Sequence, residues 1–469
     1  MKIKYLLLFS VLIQFLCIDS DFNVIYKSTS NDNQFINLIN SLYLEVEISF
    51  GSNEQKFKTE LDLSSYCLTI PDISFNMSDT KGFNKSSSST FSQLQRLSGV
   101  FLEKFYSGIL GQDTIKLGES ESINDIKFVV ANDYSYSFDY SYSYLGLDFT
   151  TGEINLFNLS LLEQLKDNKI IDRQLWYLDF TNYNKGKFVI GKYPHQINNT
   201  RFKESDMYST YLLQKSFASY RIKFDEIYYG NLNKYDKREI IEDHNEAVIN
   251  LHTRLIISTY KYGQTIHNKF FSKKLDEKIC FRQKLNEQSL YYYHYCFKDK
   301  VDISEMDNLN FYIRDTNMTF IFTPKDLFYE HDDYLYFLVI YKEFNEFDSD
   351  KETEWSLGLQ FLQKYTLTFD RNDKIFYYYN IKDEGKENNN DGNGKNENNE
   401  SDKEQNKNNK SDNFKYIIII ILLVVVFVAC VSILIYYIFK IKPRKIKVNE
   451  LEEECEYETK DKGKDYLIN

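Results

Sequence analysis

Apolar and polar residues alternate with the two-residue period of β-strands through most of residues 35–382. The clearest segments are residues 42–50, 56–63, 187–190 and 365–369, which are rich in β-branched and aromatic residues and are separated by Gly, Asn and Asp. Periodicity typical of helices is confined to short stretches such as residues 158–169. The pattern predicts an all-β or β-rich fold with few, short helices.

Two long apolar runs interrupt this alternation, and the first lies at the N-terminus. Lys2 and Lys4 precede an apolar run over residues 5–18, which is too short to span a bilayer comfortably. This arrangement is typical of a secretory signal peptide, which we place at residues 1–20 with cleavage near Ser20. A short membrane anchor is the alternative interpretation.

The second apolar run, residues 416–439, contains no charged residue. At about 1.5 Å per residue, a helix of this length crosses a hydrocarbon core of roughly 30 Å. Basic residues follow it directly, and the positive-inside rule then places the tail, residues 440–469, in the cytosol. The sequence predicts a single-pass type I membrane protein whose ectodomain is extracellular or lies in the lumen of an endomembrane or lysosome-like compartment.

Residues 383–413 separate the β-rich region from the predicted membrane helix. They consist almost entirely of Asn, Lys, Glu, Asp and Gly and lack apolar periodicity, so we interpret them as a disordered polar stalk. Glycosylation sequons occur on the same side of the membrane, which is compatible with export. The sequons are Asn76, Asn84, Asn158, Asn198 and Asn317 in the β-rich region and Asn399 and Asn409 in the stalk.

Composition and charge argue against several classes of function. With 42% hydrophobic and 17% aromatic residues the chain can bury a large core, and its net charge of -12 comes without a basic block in the β-rich region. Nucleic acid is therefore not an expected partner. The sequence contains no nucleophile elbow, no H-E-x-x-H motif and no phosphate-binding glycine loop, and its histidines are scattered. We expect neither a metal nor a cofactor.

Three cysteines lie in the β-rich region, and the other three belong to the signal peptide, the membrane helix and the tail. An extracytoplasmic location favours disulfide formation. The short spacing between Cys280 and Cys296 predicts that these two pair, which leaves Cys67 as a buried or free thiol.

Short motifs in the first half of the chain resemble those of a known family. Residues 43–51 read YLEVEISFG, residues 55–57 read QKF, residues 61–65 read LDLSS and residues 68–71 read LTIP. In order and spacing they resemble the start of the N-terminal lobe of the pepsin-like aspartic proteases. In that family a Gln-x-Phe strand leads to an Asp-Thr-Gly-Ser motif and an apolar run ends in proline.

Further motifs follow in the order of that family. They are residues 107–118 (SGILGQDTIKLG), 144–147 (YLGL), 176–178 (WYL), 186–191 (GKFVIG), 220–227 (YRIKFDEI), 322–324 (FTP) and 355–362 (WSLGLQFL). The resemblance implies a bilobal, all-β acid protease fold with an N-lobe at residues 36–202 and a C-lobe at residues 203–382. It also implies a cleft between the lobes that takes a peptide or protein.

Members of this family cleave peptides with two aspartates, one from each lobe, that share a proton. By the resemblance, Asp62 is the first. Residues 247–255, AVINLHTRL, align with the second catalytic loop and put Asn250 where the second aspartate belongs. An amide cannot exchange a proton in this role, so the sequence predicts that general acid–base catalysis fails.

The neighbouring loop residues also depart from the family pattern. They are Leu63, Ser64 and Ser65 after Asp62, and Leu251, His252, Thr253 and Arg254 after Asn250. In each loop a leucine replaces a threonine, and a residue with a Cβ replaces a glycine, so the loop conformation is expected to differ as well. The flap hairpin that would cover a substrate carries Phe101 at the position that we align with the family's tyrosine.

Three hypotheses for function follow. The first is a non-catalytic homologue, or pseudoprotease, that binds a peptide or protein in its cleft and is anchored in the membrane by its C-terminal helix. The second is an active aspartic endopeptidase in which Asp243 stands in for the missing acid or His252 replaces it. The third is a structural or adhesion ectodomain. The first accounts best for the departure of both loops from the catalytic motif.

Overall fold

Alternating apolar residues form strands almost wherever the sequence predicts them. The computed structural model describes residues 17–26, 42–74, 82–102, 105–134, 143–148, 159–215, 218–230, 239–285, 287, 289–342 and 355–379. Strands of the first half are β1 (Ile18–Tyr26), β2 (Leu42–Phe50), β3 (Gln55–Asp62), β4 (Leu68–Pro71), β5 (Ser92–Leu102), β6 (Phe105–Leu117), β7 (Ile123–Tyr134), β8 (Ser143–Gly146), β9 (Leu175–Asn182) and β10 (Lys185–Ile190).

Within the described residues, the second half contributes more strands than the first. They are β11 (Met207–Lys215), β12 (Ala218–Tyr229), β13 (Glu239–Ile249), β14 (Ile256–Ser258), β15 (Cys280–Lys284), β16 (Tyr291–Phe297), β17 (Leu309–Ile313), β18 (Met318–Phe322), β19 (Phe328–His331), β20 (Tyr334–Phe337), β21 (Val339–Lys342), β22 (Trp355–Leu357), β23 (Thr368–Asp370) and β24 (Ile375–Tyr379). Together with the first half they confirm a mostly β fold.

The helices between these strands are short. They are α1 (Leu161–Asp167), α2 (Pro194–Ile197), α3 (Tyr260–Ile266), α4 (Ser272–Asp276), α5 (Pro324–Leu327) and α6 (Leu359–Lys364), with a π-helix at His267–Phe271 and 3-10 turns at Lys85–Ser87, Glu204–Asp206 and Ile303–Glu305. Helix α1 lies within the predicted helical stretch, residues 158–169.

One predicted strand, residues 365–369, is wrong in its first part. Helix α6 ends at Lys364, and β23 begins only at Thr368. Tyr365 instead turns its hydroxyl to Ile321, accepting from the backbone N–H (2.6 Å) and donating to the backbone carbonyl (2.8 Å). This tertiary contact overrides the local alternation, which the sequence could not reveal.

The first strand begins inside the predicted signal peptide. Ile18–Tyr26 forms β1, which pairs with both β10 and β2, and Phe22 at its centre is fully buried. Cleavage near Ser20 would remove the first residues of this strand. The signal peptide itself stays a prediction, because most of residues 1–20 lies outside the described residues.

The two halves of the chain repeat one arrangement of strands. In the first half, β3 runs parallel to β8, β8 antiparallel to β4, and β4 parallel to β7. In the second half, β13 runs parallel to β22, β22 antiparallel to β14, and β14 parallel to β21. Each half therefore has a strand inserted between two consecutive strands, and the loop that joins those two passes the end of the inserted strand.

A shared sheet connects the two halves. Its described strands follow the order β1, β10, β9, β23, β24 and β11, so strands from both halves of the chain form one sheet. Trp176 of β9 stacks on Phe369 of β23, with ring centroids 4.5 Å apart. Since β11 also pairs with β12 of the second half, the sheet fixes the halves relative to each other.

Aromatic side chains fill the core of each half. In the first half, Phe128 meets Phe50 and Phe83 edge to face, with ring centroids 4.9 Å and 5.7 Å apart. In the second half, Phe311 meets Trp355 in the same way at 5.2 Å. All five side chains are fully buried, and such pairs contribute beyond the area that they bury.

The predicted disulfide between Cys280 and Cys296 is confirmed. These residues are directly opposite each other where β15 pairs with β16. Within the described residues Cys67 is buried and takes part in no disulfide, and its sulfur lies 3.2 Å from the Thr69 hydroxyl.

Several predictions concern other parts of the chain. The predicted membrane helix (residues 416–439), the stalk (383–413) and the tail (440–469) lie outside the described residues, and within those residues no helix is long and apolar enough to cross a membrane. Among the sequons, Asn198 and Asn317 are exposed and Asn84 is half-buried. Asn76 and Asn158 lie outside the described residues.

A buried histidine lies in the core of the second half. His294 in β16 is fully buried and stacks on Phe271, with ring centroids 4.0 Å apart. Neither of its ring nitrogens has a hydrogen-bond partner in the described part of the chain. Burial lowers the pKa of the His294 imidazole well below its usual value, and the nearby charges of His267 and Arg282 lower it further.

We expect the substitution His294→Phe to reduce the loss of stability in acid. Below the ordinary histidine pKa of about 6.5, the unfolded chain binds a proton at His294 and the folded chain resists it, so the free energy of unfolding falls by up to about 1.4 kcal/mol per pH unit. Denaturant unfolding of the full-length chain at pH 8 and pH 5 measures this difference. His331→Phe, which removes a half-exposed histidine, is measured alongside as the control. An unchanged pH dependence in the His294 variant would contradict the assignment.

Candidate active site

The first loop is fixed at the end of β3. Asp62 is fully buried, and its backbone carbonyl accepts a hydrogen bond from Leu147 N–H at 2.8 Å, just past the parallel strand β8. Its side-chain Oδ1 accepts from the backbone N–H (3.0 Å) and the hydroxyl (2.8 Å) of Ser64. These bonds orient the Asp62 carboxylate within its own loop.

The second loop repeats this geometry with an amide. Asn250 follows β13, and its N–H donates to the Leu357 carbonyl at 3.0 Å, at the end of the parallel strand β22. Its Oδ1 accepts from the backbone N–H of His252, two residues on, at 2.8 Å. Asn250 therefore makes the same local bond as Asp62, as their alignment in the sequence requires. The Asn250 side chain makes this bond as an uncharged amide.

Glycines let each loop pass close to its inserted strand. A Cβ on Gly146 would lie 2.5 Å from the Cys67 backbone nitrogen. A Cβ on Gly358 would lie 2.4 Å from the carbonyl oxygens of Thr253 and Leu255. Real Cβ atoms do not come so near, so both positions require glycine for close approach.

The loop positions that replace the family's other residues are accommodated without backbone strain. Leu63 and Leu251 are buried, with 9% and 1% of their surface exposed. Neither Ser64 nor His252 is among the non-glycine residues with positive φ. Their backbone therefore does not use the conformation that only glycine adopts easily, and the side chains fit.

His252 brings the two loops together. Its Nδ1 lies 3.3 Å from Glu60 Oε1, and its Nε2 lies 3.9 Å from Asp62 Oδ1. Its backbone carbonyl accepts from Leu42 N–H at 3.2 Å. Sequence reasoning missed Glu60, although its position two residues before Asp62 puts it on the same face of β3.

Thr253 and Arg254 form the end of the second loop and are buried. The guanidinium of Arg254 is buried and donates to the Tyr26 hydroxyl (2.5 and 3.0 Å) and to Asn184 Oδ1 (3.1 Å), and also bonds the Tyr183 carbonyl. It thereby ties this loop to β1 and to the turn between β9 and β10. Thr253 is buried too, and its hydroxyl accepts from the Leu255 N–H at 3.0 Å.

Ser65 and the flap complete the predicted set. Ser65 accepts from Asp148 N–H through its backbone carbonyl at 2.8 Å. The predicted flap corresponds to the hairpin of β5 and β6, in which Leu102 pairs with Phe105. Phe101 lies in β5, but its side chain is outside the part of the chain that the structure describes.

Asp243, the alternative second acid, lies far from the two loops. It is within β13, opposite Glu226 of β12, and precedes Asn250 by seven residues. In an extended strand this corresponds to a distance of about 23 Å. Within the described residues, no group of three or more His, Cys, Asp or Glu side chains is arranged to hold a metal ion.

Two strand-and-loop units of the same topology, one from each half of the chain, bring a loop from each half together in a mostly β protein. The model of the eukaryotic aspartyl protease family matches residues 43–376. The chain therefore belongs to the eukaryotic aspartyl protease family, as the sequence motifs predict. A search of curated proteins gave no match.

A buried hydroxyl from the second half supports the loop of Asp62. Tyr220 of β12 accepts a hydrogen bond from Trp176 Nε1 at 3.0 Å and donates to the Leu147 carbonyl at 2.5 Å. Leu147 is the residue whose N–H bonds Asp62. The contact thus links the shared sheet, the second half and the first loop.

We expect Tyr220→Phe to cost about 1–3 kcal/mol of unfolding free energy, because it removes the hydroxyl partner of the buried Trp176 N–H and Leu147 carbonyl. Denaturant unfolding of the full-length chain measures the loss. Tyr211→Phe is a matched control, since Tyr211 is 73% exposed, and it should change stability by less than about 0.5 kcal/mol. A loss no greater than that of the control would show that the buried link contributes little.

Proposed function

We propose that this chain is a membrane-anchored, non-catalytic member of its family that binds a peptide or protein in the cleft between its lobes. The single observation that carries the proposal is the place of Asn250. It occupies, in the second loop, the position that Asp62 occupies in the first, and it accepts the same backbone hydrogen bond.

The chemistry of the pair supports this proposal. Aspartic proteases need two carboxylates close enough to share one proton, so that one activates water while the other polarises the peptide carbonyl. Asn250 offers an amide, which neither binds nor releases a proton at ordinary pH. Asp62 has no second carboxylate beside it in the other loop. The two separate proton-binding steps of a catalytic pair of acids therefore do not arise.

The nearby acids do not restore the pair. Asp243 is about 23 Å away along β13. Glu60 lies on the same strand as Asp62, about 6.6 Å along it, and the imidazole of His252 approaches both carboxylates. Neither arrangement resembles two carboxylates that share a proton.

The remaining parts of the proposal rest on sequence and family. Retained motifs across both lobes support a retained cleft, and the family's clefts take extended peptides. The uncharged run at residues 416–439, followed by basic residues, supports the membrane anchor.

We expect the full-length chain to cleave no peptide in a mixed library between pH 3 and pH 7. The double variant Asn250→Asp, His252→Gly restores the second carboxylate and the family's glycine. Its cleavage rate should exceed that of the wild type by about 100-fold or more, since general acid–base catalysis contributes about 10²–10⁴-fold.

The control for this experiment is the same double variant with the additional change Asp62→Asn. This variant should again cleave no peptide. Cleavage by the wild type that a pepsin-class inhibitor stops would overturn the proposal. In that case His252→Gln tests whether an Asp62–His252 pair is responsible. Retention of the wild-type chain on an immobilised transition-state peptide mimic separates a binding cleft from a purely structural ectodomain.

A further inference from the structure

The side chain of His252 lies between two buried carboxylates. Glu60 and Asp62 occupy the same face of β3, with side-chain exposures of 4% and 0%, whereas His252 is 43% exposed. The imidazole nitrogens face one carboxylate each, at 3.3 Å from Glu60 and 3.9 Å from Asp62. The histidine comes from the second half of the chain and the carboxylates from the first.

The backbone of His252 is held on both sides. Its N–H donates to Asn250 Oδ1, and its carbonyl accepts from Leu42 N–H in β2. The imidazole is therefore the part of the residue that is able to move. Its partial exposure leaves it accessible to solvent protons, while its partners are shielded from water, which strengthens the interaction with a charged imidazole.

Charge decides how strongly this contact holds. Two carboxylates on one strand face repel each other, and a protonated imidazole between them offsets that repulsion. The charged side chains of Glu45 and Arg254, which lie nearby, contact other residues. Glu45, opposite Glu60 in β2, pairs with Lys58 at 3.3 Å, and Arg254, two residues beyond His252, faces Tyr26 and Tyr183.

We propose that His252 is an acid-strengthened clamp between the lobes. On protonation it pairs with Glu60 and Asp62, holds the two loops together and fills the space beside Asp62, so a ligand that reaches this carboxylate must displace it. The clamp rests on the proposed function in one respect, that the centre of the cleft is used for binding. Acid therefore strengthens the clamp, because only a protonated imidazole forms ion pairs with the two carboxylates.

A double-mutant cycle on the full-length chain in mild detergent tests the clamp. The variants are His252→Gln, Glu60→Gln and their combination, and the measurement is hydrogen exchange of peptides that cover residues 56–63 and 248–255. We expect a coupling of about fivefold in protection at pH 5 and none at pH 8, because a neutral imidazole forms no ion pair. The cycle is repeated with Asp62→Asn, which supplies the answer if Glu60→Gln does not fold.

The matched control is the pair His331 and Asp332. The His331 side chain is 40% exposed and the Asp332 side chain is 79% exposed. His331 Nε2 lies 3.6 Å from Asp332 Oδ2. The cycle of His331→Gln and Asp332→Asn should leave protection of residues 56–63 and 248–255 unchanged at both pH values. Coupling between His252 and the carboxylates that is absent at pH 5, or equal at pH 5 and pH 8, would overturn the clamp.

The two proposals fail in different experiments. Peptide cleavage by the wild type refutes the non-catalytic function and leaves the pH-dependent coupling as measured. Absence of coupling refutes the clamp. It does not bear on the proposal that Asn250 stands in place of the second acid. Tighter retention of His252→Gly than of the wild type on the immobilised peptide at pH 5 would support displacement of the imidazole by ligand, and equal retention would contradict it.

Discussion

Parallel pairing of β3 with β8, and of β13 with β22, is the constraint on which the central site depends. Each pairing forces the loop that follows the first strand to pass the end of the inserted strand. The loop backbone comes so close there that no Cβ would fit at Gly146 or Gly358. Backbone hydrogen bonds to that strand hold the loop, and side chains such as Ser64 and Arg254 add further contacts. The geometry of the site therefore survives changes in the residues that would perform chemistry.

This separation of framework from chemistry lets Asn250 take the same place in its loop as Asp62 takes in the first loop. Aspartate and asparagine have nearly the same shape, and both accept a backbone N–H through Oδ1. Asn250 makes this bond with its amide oxygen. Leu63 and Leu251, which follow Asp62 and Asn250, are buried and stabilise the loops by apolar packing. The same framework therefore accommodates an acid in one loop and an amide in the other.

Much of the fold was predictable because it depends on local patterns. The alternation over residues 42–50 becomes β2 with the same bounds, and the helical stretch near residue 160 becomes α1. The pairing of Cys280 with Cys296 followed from their short spacing. The start of β23 was misplaced because the Tyr365 hydroxyl bonds Ile321, a contact 44 residues away in sequence.

Local sequence patterns were enough to predict the family and the motifs that place both loops, because each depends on which residue stands at a given position. Only the tertiary structure decided that Glu60 and Asp62 meet His252, and that Arg254 reaches Tyr26. These contacts join residues about 190 and 228 positions apart in the chain, and no local pattern encodes them. They form because the shared sheet fixes both halves of the chain in one arrangement, which brings their loops within contact distance.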